Sequence, residues 1–115
     1  MSGKVDWGLS IKLCNNREDV AKELLGMLEE ELPSFKKKMA SAFQKKKYDQ
    51  LASLAHKLLG SCCYCGVSQL KTLLQKISDQ LKKDPSTIDE KLYSQVDQEI
   101  EAVFAELKNN KHIHP

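Results

Sequence analysis

A chain of 115 residues, 41% hydrophobic and 30% charged, is sized and composed for one domain around one core. Eighteen Lys and Arg against 16 Asp and Glu leave a net charge of +2, too little to point by itself to nucleic acid or a membrane surface. No stretch approaches the ~20 apolar residues of a membrane span, and residues 1–8 lack the apolar centre of a secretory signal, so a cytoplasmic domain without direct membrane contact is expected.

Residues 5–13 carry Trp7, Leu9, Ile11 and Leu13 and read as a helical turn or an extended lead-in packed on a bundle. Asn15 or Asn16 reads as the N-cap of the next helix, Asn15 forming a capping box with Glu18. Val20, Leu24, Leu25, Met27, Leu28 and Leu32 then keep a helical period. Pro33 either ends that helix or opens another. Residues 34–46 place Phe35, Met39, Ala42 and Phe43 on one stripe, with lysines 36–38 and 45–47 covering the rest.

Asp49 is expected to cap a third helix reaching about Cys65, broken by Gly66. Val67, Leu70, Leu73, Leu74, Ile77 and Leu81 give a fourth helix ending near Lys83. A short link containing Pro85 leads to a last helix that opens at Thr87 or Asp89 and carries Leu92, Val96, Ile100, Val103, Phe104 and Leu107. The pattern fades at Asn109 and Asn110. Residues 1–110 therefore read as one domain, and residues 111–115 as a disordered tail. Short connectors make consecutive helices antiparallel neighbours. The expected fold is all-α: an antiparallel up-down four-helix bundle with one or two additional N-terminal helices.

The third helix carries the chemistry. At 100° per residue, Leu51, Leu54, Ala55, Leu58 and Cys62 form its core face, and His56 falls about 120° from the centre of that stripe. Ser53 lies one turn before His56 and Gly60 one turn after, on the same side. Lys57 is offset on the polar surface. A mid-helix Gly costs roughly 1 kcal/mol relative to Ala, a loss that is tolerated where bare backbone is useful. Here it would let another protein approach the imidazole closely. A neutral imidazole, with its ordinary pKa of about 6.5, is a nucleophile near neutral pH. It can attack an acyl phosphate, and Lys57 could neutralise the product. A lone surface histidine is more often a solvated polar residue, so the wheel alone does not decide.

Cys62 and Cys65 form one C-x-x-C. A structural zinc site would want a second pair, and Cys14 with the tail residues His112 and His114 are the other donors. One pair without its partner pair is weak evidence, and the plain reading is reduced core cysteines. Cys63 lies on the His56 side one turn beyond Gly60, where a docked partner would touch it. A redox role for it would not survive unchanged transfer by Cys63→Ser under oxidant. No phosphate-binding Gly-rich loop and no carboxylate cluster suited to Mg²⁺ is present, so independent ATP-dependent kinase activity is not expected.

The segment Ala55-His56-Lys57-Leu58-Leu59-Gly60-Ser61 resembles the signature of the histidine phosphotransfer (HPt) family, A-H-x-L-x-G-[SA]. Gly66, Leu70, Asp6-Trp7, residues 16–25 and Leu32-Pro33 are similar to the family pattern as well, over roughly residues 5–83. The stretch from His56 to Leu81 resembles the phosphotransfer domain of hybrid sensor kinases of the BarA type, inner-membrane proteins of bacteria. The resemblance implies a four-helix bundle with His56 as phospho-acceptor, loaded by one receiver domain and unloaded onto a response-regulator aspartate. It implies no cofactor in this domain and Mg²⁺ in the receiver. Lys57 and Gly60 match the family positions beside the histidine. A polar residue of the following helix often reaches the phosphoryl group in this family. Gln75 and Ser78 are the candidates here, the family's long amide falling near Ser78.

Two other readings compete. A non-catalytic helical interaction module would leave His56 incidental. A nucleic-acid binder would use the lysine runs, but these lack interleaved aromatics, and Arg17 is the sole arginine.

Overall fold

The computed structural model describes residues 3–86 and 88–114. They form five helices: α1 Trp7–Leu13, α2 Glu18–Gln44, α3 Tyr48–Cys62, α4 Ser68–Lys83 and α5 Glu90–Lys108. No strand occurs among them. Helices α2 to α5 are the four expected staves of the bundle, and α1 is the one additional N-terminal helix. Packing runs α2 on α3, α3 on α4, α4 on α5 and α5 back on α2. The core between them includes Leu25, Leu28, Leu32, Met39, Leu51, Leu58, Leu70, Leu74, Ile77, Ile100 and Leu107, all essentially inaccessible to solvent. These are the apolar positions of the helical periods, so burial of one stripe per helix explains the architecture.

Four expected helix boundaries fall elsewhere. Pro33 neither ends nor opens a helix but lies inside α2, which runs unbroken for 27 residues. Its missing N–H removes one bond of the ladder. The apolar stripe continues across it through Leu28, Leu32, Met39 and Ala42, all buried, and that burial holds both halves in one register. Asn15 and Asn16 do not cap α2. Both adopt left-handed backbone, φ 56° and 62°, and terminate α1, where the Asn16 N–H donates to Ile11 O at 2.9 Å. Asn tolerates that region better than other non-Gly residues. The residue before α2 is Arg17, whose side chain makes no capping bond. Asp49 sits within the first turn of α3 rather than at its cap, which is Lys47. It still places a negative charge at the positive end of the helix.

Asp89 caps α5, its carboxylate accepting from the N–H groups of Lys91 and Leu92. Thr87, the other expected start, lies outside the described residues. Helix α3 ends at Cys62, three residues short of the expected end, and residues 63–67 turn the chain into α4.

Helix α1 and its cap are fastened to that turn by one backbone–backbone and one backbone–side-chain hydrogen bond. Asp6 N donates to Gly66 O at 2.7 Å, and Gly66 N donates to the buried Ser10 hydroxyl at 2.8 Å. Residues 111–114, expected as a disordered tail, are placed as turns against the bundle. The His112 ring stacks on Trp7 with centroids 4.5 Å apart, Ile113 packs beside Gly26, and His114 meets the Glu29 carboxylate. Each contact gives a tail residue a partner that periodicity could not reveal.

Candidate functional site

Helix α3 presents His56 to solvent. The imidazole is exposed and has no hydrogen bond, ion pair or ring contact among the described residues. Ala55 and Leu58, its core-facing neighbours in the helix, are fully buried and fix the rotation of α3. Ser53, Lys57 and Gly60 are exposed on the same side of the bundle. A Cβ built on Gly60 would meet nothing within 4 Å. Nothing inside the chain therefore requires glycine at this position. The bare backbone faces outward, beside the imidazole.

The neighbouring helices flank this ridge unequally. On the α2 side, the Ser61 hydroxyl donates to Glu31 Oε2 at 2.9 Å, and Lys57 lines a cleft with Phe35 and Leu54. His56 falls on the other flank, toward α4. Leu73 and Gln80 mark the flank of α4 that faces α5: Leu73 lines a cleft with Glu99 and Ala102, and Gln80 Oε1 accepts from Asp89 N at 2.9 Å. At 100° per residue, Lys71, Gln75 and Ser78 then fall on the flank facing α3.

The two sequence candidates on α4 differ in access. Gln75 is exposed, with its amide Nε2 donating to Asp79 Oδ1 at 3.0 Å. Ser78 is only 5% exposed and belongs to the buried side of the helix. Lys71 was not among the residues singled out from the sequence. It is half-buried on the same flank as Gln75, and its charge acts on the thiols of Cys62 and Cys65, which places it near the end of α3. Its spacing of four residues before Gln75 was the available signal.

Residues 23–106 match the Hpt domain family. That span covers most of the chain and includes His56, Gly60 and the whole of α3. The chain belongs to the Hpt domain family. It is 36% identical over 78 residues to the signal transduction histidine-protein kinase BarA of Escherichia coli K12 and, equally, of Shigella flexneri. The match takes in 68% of this chain and 8% of either kinase, so the chain spans less than a tenth of the length of those relatives. The fold superposes on the crystal structure of the HPT domain from a sensor hybrid histidine kinase of Shewanella with a TM-score of 0.87. That pair shares 29% identity, with 92% of each chain covered.

The cysteines of this Hpt domain divide by environment. Cys63, the C-cap of α3, is exposed, and its thiol donates to Leu59 O at 3.4 Å. Cys14, Cys62 and Cys65 are buried. Burial, reinforced by neighbouring thiols, pushes Cys62 well above the usual thiol range and Cys65 up to about 12. All four are free thiols. The donor set for zinc is not assembled: His112 lies on Trp7 and His114 beside Glu29, and no group of three or more His, Cys, Asp or Glu suited to a metal forms among the described residues. None of the described helices is long and apolar enough to cross a membrane.

Proposed function

We propose that this Hpt domain accepts a phosphoryl group on His56 from the aspartyl phosphate of one receiver domain and passes it to the aspartate of a response regulator. The observation that carries the reading is the pairing of an exposed, unpartnered imidazole with a glycine one turn later whose absent side chain opens onto solvent. A receiver must bring its aspartyl phosphate within bonding distance of a ring nitrogen, and a side chain at position 60 would stand in its way.

In the loading step the outward nitrogen, Nε2, attacks phosphorus in line. The N–P bond forms as the P–O bond to the aspartate breaks, and the carboxylate leaves. The proton stays on Nδ1, so the ring carries positive charge and is a good leaving group for the return transfer. In unloading, an oxygen of the second aspartate attacks phosphorus and neutral imidazole departs. Lys57 offers an ammonium to the phosphoryl oxygens. Gln75 is better placed than Ser78 to donate to them, because its amide is already at the surface. Ser53 and Cys63 lie in the footprint around the ring. Mg²⁺ belongs to the receiver, where it neutralises the developing charge. The relatives' lengths fit a larger parent, a hybrid sensor kinase anchored in the bacterial inner membrane with this domain on its cytoplasmic side.

Intact mass after incubation with phosphoramidate, a small phosphodonor, tests the reading. Wild type should gain one phosphoryl group that is lost in acid and kept in base, and His56→Gln should gain none. Equal labelling of folded wild type and His56→Gln, or none of either, would remove His56 from the mechanism and favour a non-catalytic interaction module.

A further inference from the structure

Two adjoining clefts between α2 and α3 share Lys38 and Leu54 as lining residues and so form one groove. Lys57 stands at one end, and Lys45 and Lys47 at the other, where α2 turns into α3. The floor includes the half-buried side chains of Phe35 and Leu54. None of the four ammonium groups has an ion-pair partner among the described residues. Lys36, two residues before Lys38, behaves differently: it turns to α5 and pairs with Asp97 at 3.5 Å and Glu101 at 3.9 Å. The single carboxylate lining the groove is Glu31, already engaged by the Ser61 hydroxyl. The chain therefore concentrates uncompensated positive charge along one flank of α3 while its net charge is only +2.

Position decides what this charge can meet. The far end of the groove at Gln50 precedes His56 by six residues, about 9 Å along α3 at 1.5 Å per residue. A protein interface of standard size covers about 800 Å² on each partner, roughly 30 Å across. The groove lies around α3 from His56, on the α2 flank, so a receiver centred on His56 meets it at the edge of its footprint. Its occupant must be negatively charged and must carry some apolar surface for Leu54 and Phe35. Nucleic acid fits less well. No arginine lines the groove, and the one arginine of the chain, Arg17, lies before α2 and pairs with Asp19 at 3.1 Å.

We infer that the Lys38–Lys45–Lys47 groove is a lateral docking strip for an acidic surface segment of the receiver domain that exchanges phosphate with His56. This deepens the phosphotransfer reading and rests on it. The strip steers encounter and selects among receivers by the acidity of that segment, while His56, Lys57 and Gly60 serve the transfer itself. No bond is made or broken at the strip.

The test compares two triple variants with equal change in charge. Lys38→Gln/Lys45→Gln/Lys47→Gln empties the strip. Lys22→Gln/Lys37→Gln/Lys91→Gln removes three other exposed lysines that take part in no ion pair. Both are expected to fold, by circular dichroism, and to label with phosphoramidate like wild type. Transfer is then timed from a panel of Mg²⁺-loaded receiver domains of the source organism, phosphorylated with acetyl phosphate, at low and high salt. The strip variant should transfer about tenfold more slowly at low salt, with a flattened salt dependence, and the control should match wild type.

Equal rates for the two variants would overturn the inference while leaving His56 as the acceptor. A strip variant that loses binding of single-stranded RNA but transfers normally would overturn it in favour of nucleic acid. Transfer from no receiver, or failure of wild type to label, would remove the phosphotransfer reading and the strip with it.

Discussion

Gly66 and Asp6 are in backbone contact: Asp6 N donates to Gly66 O at 2.7 Å, and a Cβ on Gly66 would stand 2.1 Å from Asp6 O. That position admits no side chain without moving backbone, since Ser10 Oγ would also lie at 2.9 Å. Gly66 does not use left-handed backbone, as no described glycine has positive φ. Its role is close approach, which lets α1 lie on the turn that joins α3 to α4. Gly66→Ala should therefore destabilise by about 2–3 kcal/mol, the scale of forced overpacking. Ser10→Ala, which removes the acceptor of the buried Gly66 N–H, should lose about 1–3 kcal/mol. Urea unfolding of both variants measures this, and an unchanged midpoint for Gly66→Ala would mean that α1 does not dock as described.

Gly60 makes the opposite prediction. Its Cβ would meet open space, so Gly60→Ala removes a helix-breaking residue without a clash. Folding stability should rise by about 0.5–1 kcal/mol. Phosphoramidate labelling of His56 should persist, because a small donor needs little room. Transfer from a receiver should slow, because the methyl group enters the docking footprint. A variant that is both more stable and fully active with receivers would leave Gly60 without a functional reason.

The contrast between the two glycines marks how far the sequence could be read. Gly60 was legible because it sits at a fixed spacing from His56 inside a strongly periodic helix. From the residues themselves, apart from its match to the family pattern, Gly66 read as a helix breaker, because its constraint comes from Asp6 and Ser10, which lie far away in sequence. The staves of the bundle were legible from apolar periods, since core burial and sequence period are the same fact. The ends of helices were less so. Asn15 and Asn16 have the chemistry of an N-cap and of a left-handed C-terminus alike, and the short α1 before them decides which is used. On α4, the family's long-amide position falls near Ser78, which is a serine and is buried, and Lys71 became visible only when the α3-facing flank was fixed in space. The contacts of the tail were not legible, because its partners, Trp7, Gly26 and Glu29, belong to elements far earlier in the chain.

Alkaline pH should weaken the fold. Burial raises Cys65 from an ordinary 9.0 to about 12 and Tyr93 from 10.0 to about 12, the latter with Asp97 adding to the effect, and raises Cys62 as well. For each group the folded pKa lies above the unfolded one, so the unfolded chain loses its proton first as pH rises. Stability tied to these groups is complete below about pH 9 and falls between about pH 9 and 12. The urea midpoint should be level from pH 7 to 8.5 and decline steadily above it. Cys65→Ala should flatten that decline relative to wild type, whatever its effect on the midpoint at pH 7. The same burial predicts that Cys63 alone reacts with a thiol reagent in the native state, the other three waiting on unfolding. Rapid labelling of two or more thiols in the folded domain would contradict the burial of Cys14, Cys62 and Cys65.

Pro33 sits in the interior of α2, where it leaves Glu29 O without the N–H that an α-helix would supply. A proline so placed costs about 3 kcal/mol in the folded state. Its restriction of the unfolded chain returns at most about 1 kcal/mol of that. Pro33→Ala should therefore stabilise the domain by about 2 kcal/mol, with α2 unchanged in length. Pro33 is exposed and lines a shallow groove with Leu32, Ala40, Ile100 and Phe104, between α2 and α5 and away from His56. Phosphoramidate labelling should accordingly be unaffected. Unfolding in urea, read by circular dichroism, gives the sign directly. A loss of stability would show that the ring's contacts across that groove outweigh the missing hydrogen bond, and would make Pro33 a packing residue of the α2–α5 interface.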